Sequence, residues 1–373
     1  MAGFEVPPYP YDRLDPLRVE AMKVPGGLVD LSVGTPTDPP PALAARALAD
    51  ASTARSYPPS IGTPAYREAA SGWLQRRLDV EVAADRLAAC IGTKEMVAGL
   101  PHWLRLRTPE RDTVLYPEVS YPTYAMGARL AGCRAVPVPV DDMWRLRLDA
   151  VEPEDTRRAL CLWVNTPGNP AGGLDDLGAV AAWGRANGVP VLSDECYVEF
   201  TWDGPPRTIL THGTDGVLAV HSLSKRSNLA GARVGFYAGD HDLVSYLAEL
   251  RKHAGFMVPG PVQGAGALAW ADDDHVVVQR ERYRERLSRL AGALRSIGLD
   301  AATPPGGFYL WVPAPDGDAW ALTDRLAKEV GALVSPGEFY GPAGSGHVRI
   351  AAVQPTELID GLVARLEAMG PIT

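Results

Sequence analysis

The stretch Pro190-Val-Leu-Ser-Asp-Glu-Cys-Tyr197 places two adjacent carboxylates, Asp194 and Glu195, directly after an apolar run of strand length. Similar short runs of apolar and β-branched residues recur between residues 84 and 240, where they alternate with amphipathic segments of helical length. This alternation is typical of βαβ units, in which helices join parallel strands. The sequence therefore predicts an α/β fold whose large lobe is a mostly parallel sheet flanked by helices.

In this lobe, short apolar runs predict the strands and amphipathic periodicity predicts the helices. The predicted strands are Leu87–Ile91, Thr113–Tyr116, Ala135–Val140, Ala159–Val164, Pro190–Ser193, Val217–Val220 and Ala232–Ala238. The predicted helices are Lys94–Arg107, Thr123–Ala131, Leu174–Asn187 and Asp242–Lys252. Glycines such as Gly132 and Gly188 follow some of these helices, as is usual at helix C-termini.

A smaller α+β lobe is predicted after the Pro/Gly-rich stretch Val258-Pro-Gly-Pro261. A long helix over residues 272–298 follows, with one face polar enough to be exposed. Beyond it, strands are predicted at 307–312, 333–335 and 348–353, and helices at 319–330 and 356–369. Because an ordered N-terminus must be held somewhere, we expect it to join this lobe. The predicted domains are a large domain of residues 31–270 and a small domain of residues 1–30 and 271–373.

Composition limits the classes of partner. The 373 residues carry 36 Lys and Arg against 45 Asp and Glu, a formal net charge of -9, which argues against binding to nucleic acid or to anionic membranes. No apolar run approaches the roughly 18 residues of a membrane span, and the N-terminus lacks the pattern of a signal peptide. The four cysteines form no C-x-x-C pair and predict buried, reduced thiols. We expect a cytoplasmic protein that binds small molecules.

In an open α/β sheet, ligands bind beyond the carboxyl ends of the strands, so polar residues there are the first candidates. Gly92, Thr93 and Lys94 follow one predicted strand and begin a helix. The free N–H groups and the dipole of a helix start suit a phosphate group. A Gly-Thr pair at a helix start is also an ordinary cap, and the segment does not match the longer nucleotide-binding loop G-x-x-x-x-G-K-[ST].

Asp194 and Lys225 are the two charged candidates at later strand ends. A carboxylate at the end of an apolar strand needs a partner, which for Asp194 is either a structural cap or arginine, or a protonated ring nitrogen of a cofactor. Lys225 lies in His221-Ser-Leu-Ser-Lys-Arg-Ser227 among small hydroxyl residues, a setting that favours a lysine whose amine forms an imine. Of the five lysines, Lys94 and Lys252 are open as secondary contacts.

Three motifs in order carry a resemblance to a known family. They are N-P-x-G at Asn169–Gly172, D-E-x-Y at Asp194–Tyr197, and S-x-S-K followed by an arginine at Ser222–Arg233. The first motif alone is compatible with a simple loop. Together, from Leu31-Ser-Val-Gly-Thr-Pro36 to Val348-Arg-Ile350, the chain resembles the fold-type I pyridoxal phosphate aminotransferases of class I/II. It departs from the family pattern at Ala171, where threonine is common.

The resemblance implies pyridoxal 5′-phosphate as the cofactor and assigns roles around its ring. Lys225 would bond covalently to the cofactor and act as general acid and base, while Asp194 would pair with the pyridine nitrogen. Asn169 and Tyr197 would hydrogen-bond the phenolic oxygen. Tyr121 would stack on the ring, with a packed core tyrosine as the alternative. Lys225, Asp194 and Tyr197 are thus the predicted catalytic residues.

The same resemblance assigns the phosphate and the substrate. The predicted phosphate ligands share a place beside a strand end or helix start and are Thr93, Lys94, Ser222 and Arg233. Ser224 is a further predicted cofactor-binding residue. Tyr57 would reach the phosphate of a neighbouring subunit, which implies a homodimer with shared sites. Arg349 would bind the substrate α-carboxylate, with contacts from Gly34 and Asn169; a surface ion pair is the alternative for Arg349.

A narrower resemblance concerns the substrate. Ser222–Gly231, Arg251–Gly255 with Met257–Pro259, and Pro336–Gly344 resemble the actinobacterial N-succinyldiaminopimelate aminotransferases of lysine biosynthesis. This implies transfer of an amino group from N-succinyl-LL-2,6-diaminopimelate to 2-oxoglutarate. We expect the basic cluster Arg251, Lys252 and His253 to bind the distal carboxylate, although such a cluster also suits a helix C-terminus.

Other functions remain open on the same scaffold. An aminotransferase of specialised amino-acid metabolism, a carbon–sulfur lyase or a cofactor-dependent oxidase would keep the fold and the lysine. A non-enzymatic ligand-sensing regulator is disfavoured, because the chain has an intact lysine, aspartate and arginine set and no appended basic module.

Overall fold

The computed structural model describes residues 4–372. The α-helices are α1 (Asp15–Ala21), α2 (Ala42–Ala47), α3 (Pro64–Leu78), α4 (Thr93–Arg107), α5 (Thr123–Leu130), α6 (Pro153–Arg158), α7 (Leu177–Asn187), α8 (Leu223–Arg226), α9 (His241–His253), α10 (Gly260–Ala271), α11 (Asp274–Ser296), α12 (Ala319–Val330) and α13 (Thr356–Met369). The strands are β1 (Val29–Asp30), β2 (Leu87–Cys90), β3 (Thr113–Pro117), β4 (Arg134–Val138), β5 (Ala159–Asn165), β6 (Val191–Asp194), β7 (Val217–Ser222), β8 (Gly235–Gly239), β9 (Tyr309–Pro313), β10 (Ala332–Leu333), β11 (Ser335–Pro336) and β12 (His347–Ala351). Within residues 4–372, no helix combines the length and the apolar character of a membrane-spanning segment.

Contacts divide the described chain into a large unit, residues 35–282 and 304–307, and a small unit, residues 4–34, 283–303 and 308–372. The division falls inside α11, whereas the sequence places the domain boundary ahead of this helix, at 270/271. A helix of 23 residues extends about 35 Å, so one helix can contribute to both units. Residues 1–3 and 373 of the predicted small domain lie outside the described residues, and the domain limits stay a prediction.

The large unit is built on a seven-stranded sheet in the order β2-β8-β7-β6-β5-β3-β4. The pairs from β7 through β6, β5 and β3 to β4 are parallel, while β8 runs antiparallel to both β2 and β7. The prediction of a mostly parallel sheet is confirmed. In its register, Asn165 at the end of β5 lies opposite Asp194 at the end of β6.

Both faces of the middle of this sheet are covered, so central strands such as β5 and β7 are buried along their whole length, whereas the edge strand β4 is only partly buried. Along β6, Val191 belongs to a core cluster that contains Trp73 of α3 and Trp270 of α10. The next residue, Leu192, belongs to a second cluster with side chains of α4, α5 and α9. Successive side chains of a strand point to opposite faces, which places helices on both sides of the sheet.

One predicted strand of the large unit begins later than the sequence indicated. The prediction was Ala232–Ala238, but β8 starts at Gly235. Residues Ala230–Ala232 form a 3-10 turn, and Arg233 has a φ of 57°. A left-handed residue cannot continue a strand, so the turn keeps Arg233 at the sheet's end.

The small unit is an α+β arrangement, as predicted. Its β1 pairs in parallel with β10, and β11, β12 and β9 form an antiparallel sheet. The prediction of a single strand at 333–335 is wrong, because these residues belong to two strands, β10 and β11, in different sheets. Pro336 lacks an N–H group and is found at the edge of a sheet, and β11 is an edge strand.

Candidate active site

Polar side chains collect at the carboxyl ends of β5, β6 and β7 in the large unit. These neighbouring strands end at Asn165, Asp194 and Ser222, respectively. The Asn165 side chain donates from Nδ2 to the Asp194 carbonyl oxygen at 2.8 Å, and its Oδ1 accepts the Asn169 N–H at 2.8 Å. Asn165 therefore ties the Asn169 loop to the end of β6. Sequence reasoning missed Asn165, although its place at a strand end was a usable signal.

Asp194 is a buried carboxylate with defined partners. It is 7% exposed, and its oxygens accept from Tyr124 Oη at 2.8 Å and from the Cys196 N–H at 3.2 Å. Burial raises its pKa, while these hydrogen bonds and the positive charge of Lys225 lower it. Each carboxylate oxygen has two acceptor positions, so Asp194 retains capacity for a cationic donor.

Tyr124 is a second residue that sequence reasoning passed over. It is fully buried on α5, and its ring lies 6.2 Å from that of Tyr121 in an edge-on arrangement. Burial raises the pKa of Tyr124 well above its usual range, so the phenol stays a proton donor to Asp194. Its place in Ser120-Tyr-Pro-Thr-Tyr124, the segment that also contains Tyr121, was the available signal.

Lys225 lies in the single-turn helix α8, which follows β7 directly. The turn is capped by Ser222, whose Oγ accepts the Ser224 N–H at 3.1 Å. Ser222 and Ser224 are buried, and Lys225 is half-buried. The Lys225 charge acts on the pKa values of both Asp194 and Cys196. The structure thus brings the predicted lysine and aspartate into one electrostatic environment.

The start of α4 and Arg233 form an adjoining cradle. Gly92 caps α4 with a φ of 70°, and a Cβ at this position would lie 2.8 Å from Arg233 Cζ. Arg233 itself donates from Nη1 to the Ala230 carbonyl at 2.8 Å. Thr93 accepts a hydrogen bond from Cys196 Sγ at 3.1 Å, which links the helix start to the segment after β6. A guanidinium beside a helix N-terminus is a suitable environment for a phosphate dianion.

The remaining predicted cofactor ligands differ in their surroundings. Lys94 Nζ lies 5.8 Å from the centroid of the Tyr121 ring. Asn169 and Tyr197 are 6% and 7% exposed. By contrast, Tyr57 is 94% exposed, and its role at a neighbouring subunit stays a prediction.

In the small unit, Arg349 on β12 is 2% exposed, so the alternative of a surface ion pair is wrong. Its Nη2 donates to the Ser32 carbonyl at 2.6 Å, and its guanidinium lies 4.2 Å and 4.7 Å from the ring centroids of Tyr309 and Tyr340. At Gly34, a Cβ would lie 2.7 Å from Tyr309 Cζ. Glycine is therefore required there by the Tyr309 ring.

The predicted role of Arg251 in binding a distal carboxylate is wrong. Arg251 is 1% exposed and forms a two-point ion pair with Glu95, including Nη2 to Oε2 at 3.1 Å. Its guanidinium also lies 5.0 Å from the Phe256 ring centroid. A buried arginine with a committed carboxylate partner is not available to a substrate. Lys252 and His253 of the same cluster are exposed.

Comparison with known proteins bears on this geometry. The family described as aminotransferase class I and II matches residues 27–366. The chain belongs to this aminotransferase family. It is 43% identical over 370 residues to the 4-dedimethylamino-4-oxo-anhydrotetracycline transaminase OxyQ of Streptomyces rimosus, covering 97% of this chain and 99% of the relative.

Two further relatives of the aminotransferase have different substrates in their names. The LL-diaminopimelate aminotransferase of Aquifex aeolicus is 32% identical, covering 94% of each chain. The solved structure of a probable N-succinyldiaminopimelate aminotransferase from Thermus thermophilus has a TM-score of 0.85 and 32% identity, covering 96% of this chain and 99% of that one. The aminotransferase therefore moves an amino group between an amino acid and a 2-oxo acid.

The cofactor of the aminotransferase is pyridoxal 5′-phosphate, and the residues at the strand ends fit it. A buried carboxylate, Asp194, suits a protonated ring nitrogen, and Lys225 is the lysine within its field. The contact between Gly92 and Arg233, which any side chain would fill, suits a phosphate at the start of α4. When bound, the cofactor supplies a ring that withdraws electrons from the substrate.

Proposed function

We propose that this aminotransferase uses N-succinyl-LL-2,6-diaminopimelate as amino donor and 2-oxoglutarate as acceptor, in the cytoplasm and as a homodimer, within lysine biosynthesis. The observation that carries the site assignment is that Lys225 lies in the field of the buried Asp194, close to Cys196, which is hydrogen-bonded to Thr93 at the start of α4. The substrate assignment rests on the motifs around Lys225 and on likeness to the Thermus thermophilus enzyme.

Around the ring, each residue has a separate task. Lys225 would hold the cofactor, and its amine would act as the general acid and base that moves a proton at the substrate Cα. Asp194 keeps the ring nitrogen protonated, since Tyr124 and the Cys196 N–H hold the carboxylate in place. Asn169 and Tyr197 donate hydrogen bonds to the phenolic oxygen, and Tyr121 stacks on the ring.

Other residues bind the cofactor phosphate and the carboxylates of the substrate. The phosphate is bound by the α4 start with Thr93 and Lys94, and by Ser222 and Arg233, while Ser224 is a further cofactor contact. Arg349 binds the substrate α-carboxylate, with Gly34 and Asn169 as further contacts. Tyr57 belongs to the phosphate site of the second subunit, which makes the dimer necessary for activity. The residue that binds the distal carboxylate is not assigned, since Arg251 is committed to Glu95.

The site is tested by reducing the holoenzyme with borohydride and mapping the labelled peptide. We expect the label on Lys225, because a half-buried amine close to Asp194 is positioned to form the bond. The Lys225→Ala variant should lose transamination entirely while it folds normally, since no buried apolar group is removed. Lys252→Ala, an exposed lysine, is the matched control and should behave as wild type. A label on Lys94 or Lys252 would overturn the assignment.

The substrate is tested by following the amino-donor half-reaction at the cofactor absorbance with a panel of donors. We expect the highest kcat/KM with N-succinyl-LL-2,6-diaminopimelate, less with free LL-diaminopimelate, and glutamate active as the reciprocal donor. Efficient reaction of aromatic or guanidino amino acids, with no reaction of the succinylated compound, would refute the substrate and leave the aminotransferase intact.

A second candidate is favoured by one comparison. Identity to the transaminase OxyQ is 43% over 97% of this chain, which is higher than the 32% to the Thermus thermophilus enzyme. An aminotransferase of specialised metabolism that aminates a polycyclic ketone would fit that relationship. Adding 4-dedimethylamino-4-oxo-anhydrotetracycline as amino acceptor, with glutamate as donor, decides between the two.

A further inference from the structure

Lys225 lies in a helix that is too short to be stable without contacts to the rest of the protein. Helix α8 has four residues, and a single helical turn is not stable by its own hydrogen bonds. The geometry of Lys225 must therefore come from contacts of the residues beside it. The next residue, Arg226, is 2% exposed, and Nε, Nη1 and Nη2 of its guanidinium each donate a hydrogen bond.

One partner of Arg226 lies in the turn that follows the neighbouring strand. Arg226 Nε donates to Glu199 Oε1 at 3.1 Å. Glu199 is two residues beyond Tyr197, in the 3-10 turn Val198–Phe200 after β6. The ion pair thus connects the turn that carries Lys225 to the turn that directly follows Tyr197.

The other side of Arg226 is fixed to the end of α10 and the segment before α11. Nη1 donates to the Ala269 carbonyl at 2.6 Å, and Nη2 donates to the Asp272 carbonyl at 3.1 Å and to Asp273 Oδ1 at 2.9 Å. The neighbouring Ser227, fully buried, shares a hydrogen bond of 2.9 Å with His275 Nε2. Two consecutive residues after Lys225 are therefore anchored to the same segment.

Glu199 is held just as firmly. It is 2% exposed and also accepts from Trp73 Nε1 at 2.8 Å and from Arg77 Nη2 at 2.9 Å. Both of these residues are on α3, which packs against α10. Burial raises the pKa of Glu199, but the Arg226 and Arg77 charges and the hydrogen bonds outweigh it and leave the pKa below its usual value. The carboxylate is therefore ionised and satisfied.

Stability alone does not account for this arrangement. Desolvation of a buried ion pair offsets most of its attraction, and well-packed apolar residues of similar size are often as stable. A fully satisfied buried network does, however, fix relative positions. Arg226 and Glu199 each lie in a short turn that follows a strand, and a displacement of about 1 Å costs an active site about 100-fold in rate.

We infer that the buried Arg226–Glu199 pair is a positioning device that sets the Lys225 amine relative to Tyr197. The inference rests on the proposed function, in which Lys225 carries the cofactor and Tyr197 contacts its phenolic oxygen. Neither Arg226 nor Glu199 is assigned a contact with substrate or cofactor. Their effect passes through the two turns that they join.

The test uses two variants and a matched control. Arg226→Lys keeps the charge but loses the planar fork that reaches Glu199, Ala269 and Asp273 together. The double variant Arg226→Met with Glu199→Gln removes both charges, so that neither member of the pair is left charged without the other. The control is Arg286→Met in the small unit, where Arg286 is also 2% exposed and donates from Nε to Thr356 Oγ1 at 3.2 Å.

For each protein, the measurements are the unfolding temperature of the cofactor-free chain, the visible circular dichroism of the bound cofactor, and kcat and KM. We expect Arg226→Lys and the double variant to lower kcat by about 100-fold with little change in KM. Both should also change the dichroic band, which reports the orientation of the bound ring. The control should lower the unfolding temperature and leave the dichroic band and kcat unchanged.

Two outcomes overturn the inference. If the double variant has wild-type kcat and dichroism, the pair is structural only. If kcat falls only in proportion to the fraction of folded protein, positioning is also refuted. Borohydride labelling of the wild type separates this failure from that of the proposed function, because a label away from Lys225 removes the premise before any variant is compared.

Discussion

Both edges of the large sheet carry charged side chains, but these are buried at the carboxyl edge and exposed at the amino edge. At the carboxyl edge, Asp194, Asn169 and Ser222 are buried, and the Asn165 side chain joins the end of β6 to the Asn169 loop. At the amino edge lies a cleft of about 380 Å³ whose lining includes Arg107 and Asp242. Both of these side chains are exposed.

The edge at which we propose the active site is therefore not the one with this charged cleft. Arg111, another residue of the amino-edge cleft, donates to the Ala159 and Gly188 carbonyls at 3.0 Å and 2.7 Å, which is a structural use. In parallel sheets, loops at the carboxyl ends can bring side chains of several strands together, as Asn165 and Asp194 show. Buried polar groups with defined partners distinguish the carboxyl edge, where we propose the site, from the amino edge.

Among the substitutions that test this difference between the two edges, the largest loss of activity is expected at Asp194. Asp194→Ala removes the buried counter-charge of the ring nitrogen, a loss of about 3–5 kcal/mol, which corresponds to roughly 10²–10⁴ in rate. Single-turnover measurement of the half-reaction with saturating cofactor gives the number directly. A variant that keeps more than about a tenth of wild-type turnover would contradict the assigned role.

The next effect is at the helix start. Gly92→Ala introduces a Cβ against Arg233 and strains a residue whose φ is 70°. Displacing one charge-assisted contact should weaken cofactor binding by about 10–100-fold, as measured by titrating the cofactor-free enzyme. The control is Gly264→Ala in α10, where a Cβ meets no atom within 4 Å. Equal cofactor affinity in both variants would show that the cradle does not bind the phosphate.

A smaller effect is expected at Glu195, which lies beside Asp194 at the same edge and should affect stability more than activity. Burial raises the pKa of Glu195 from 4.5 to about 7, and its Oε1 accepts from Ser193 Oγ and the Ile209 N–H, both at 2.8 Å. A raised pKa means that the folded state holds a proton that the unfolded state has lost. Glu195 therefore stabilises the fold below about pH 4.5, and this contribution is lost as the pH rises through 7.

Glu195→Gln mimics the protonated form, so it should unfold at a higher temperature than wild type at pH 8. The expected gain is about 1–3 kcal/mol at about pH 8, and it should shrink toward about pH 5. Thermal unfolding at the two pH values measures the difference, and turnover should fall far less than in Asp194→Ala. A variant that is less stable at pH 8 would instead indicate an ionised Glu195 paired with His221, whose Nε2 lies 3.3 Å from Oε2.

The smallest effect is expected at the amino edge. Arg107 is exposed, and substitutions of such residues change stability by no more than about 0.5 kcal/mol. Arg107→Ala should therefore leave kcat/KM within about twofold of wild type. Steady-state kinetics test this, and a large loss of activity would show that the amino-edge cleft takes part in function.

Sequence reasoning located the strand ends well because apolar runs and the residues after them are local features. Asp194, Lys225 and Thr93 fall where their motifs indicated, at or just after β6, β7 and β2. Their catalytic and binding roles stay predictions. Helices α12 and α13 have the predicted bounds, since their apolar periodicity is strong.

What sequence reasoning missed depends on contacts between distant residues. The Arg251 guanidinium pairs with Glu95, 156 positions away, and Arg226 pairs with Glu199, 27 positions away. A basic residue at a helix end has the same local signature whether it is exposed or buried. Tyr124 was missed for a similar reason, because its hydrogen bond to Asp194 crosses 70 positions.

The pairing of β1 with β10 has a consequence for how the chain is made. Val29 lies opposite Ala332 in the register, so β1 lacks this partner strand until about 300 further residues have been synthesised. At about 5–20 residues per second, the intervening 300 or so residues take roughly 15–60 s to synthesise. The large unit, complete by residue 307, can fold during that interval. The N-terminal segment must stay soluble and unpaired until β10 emerges.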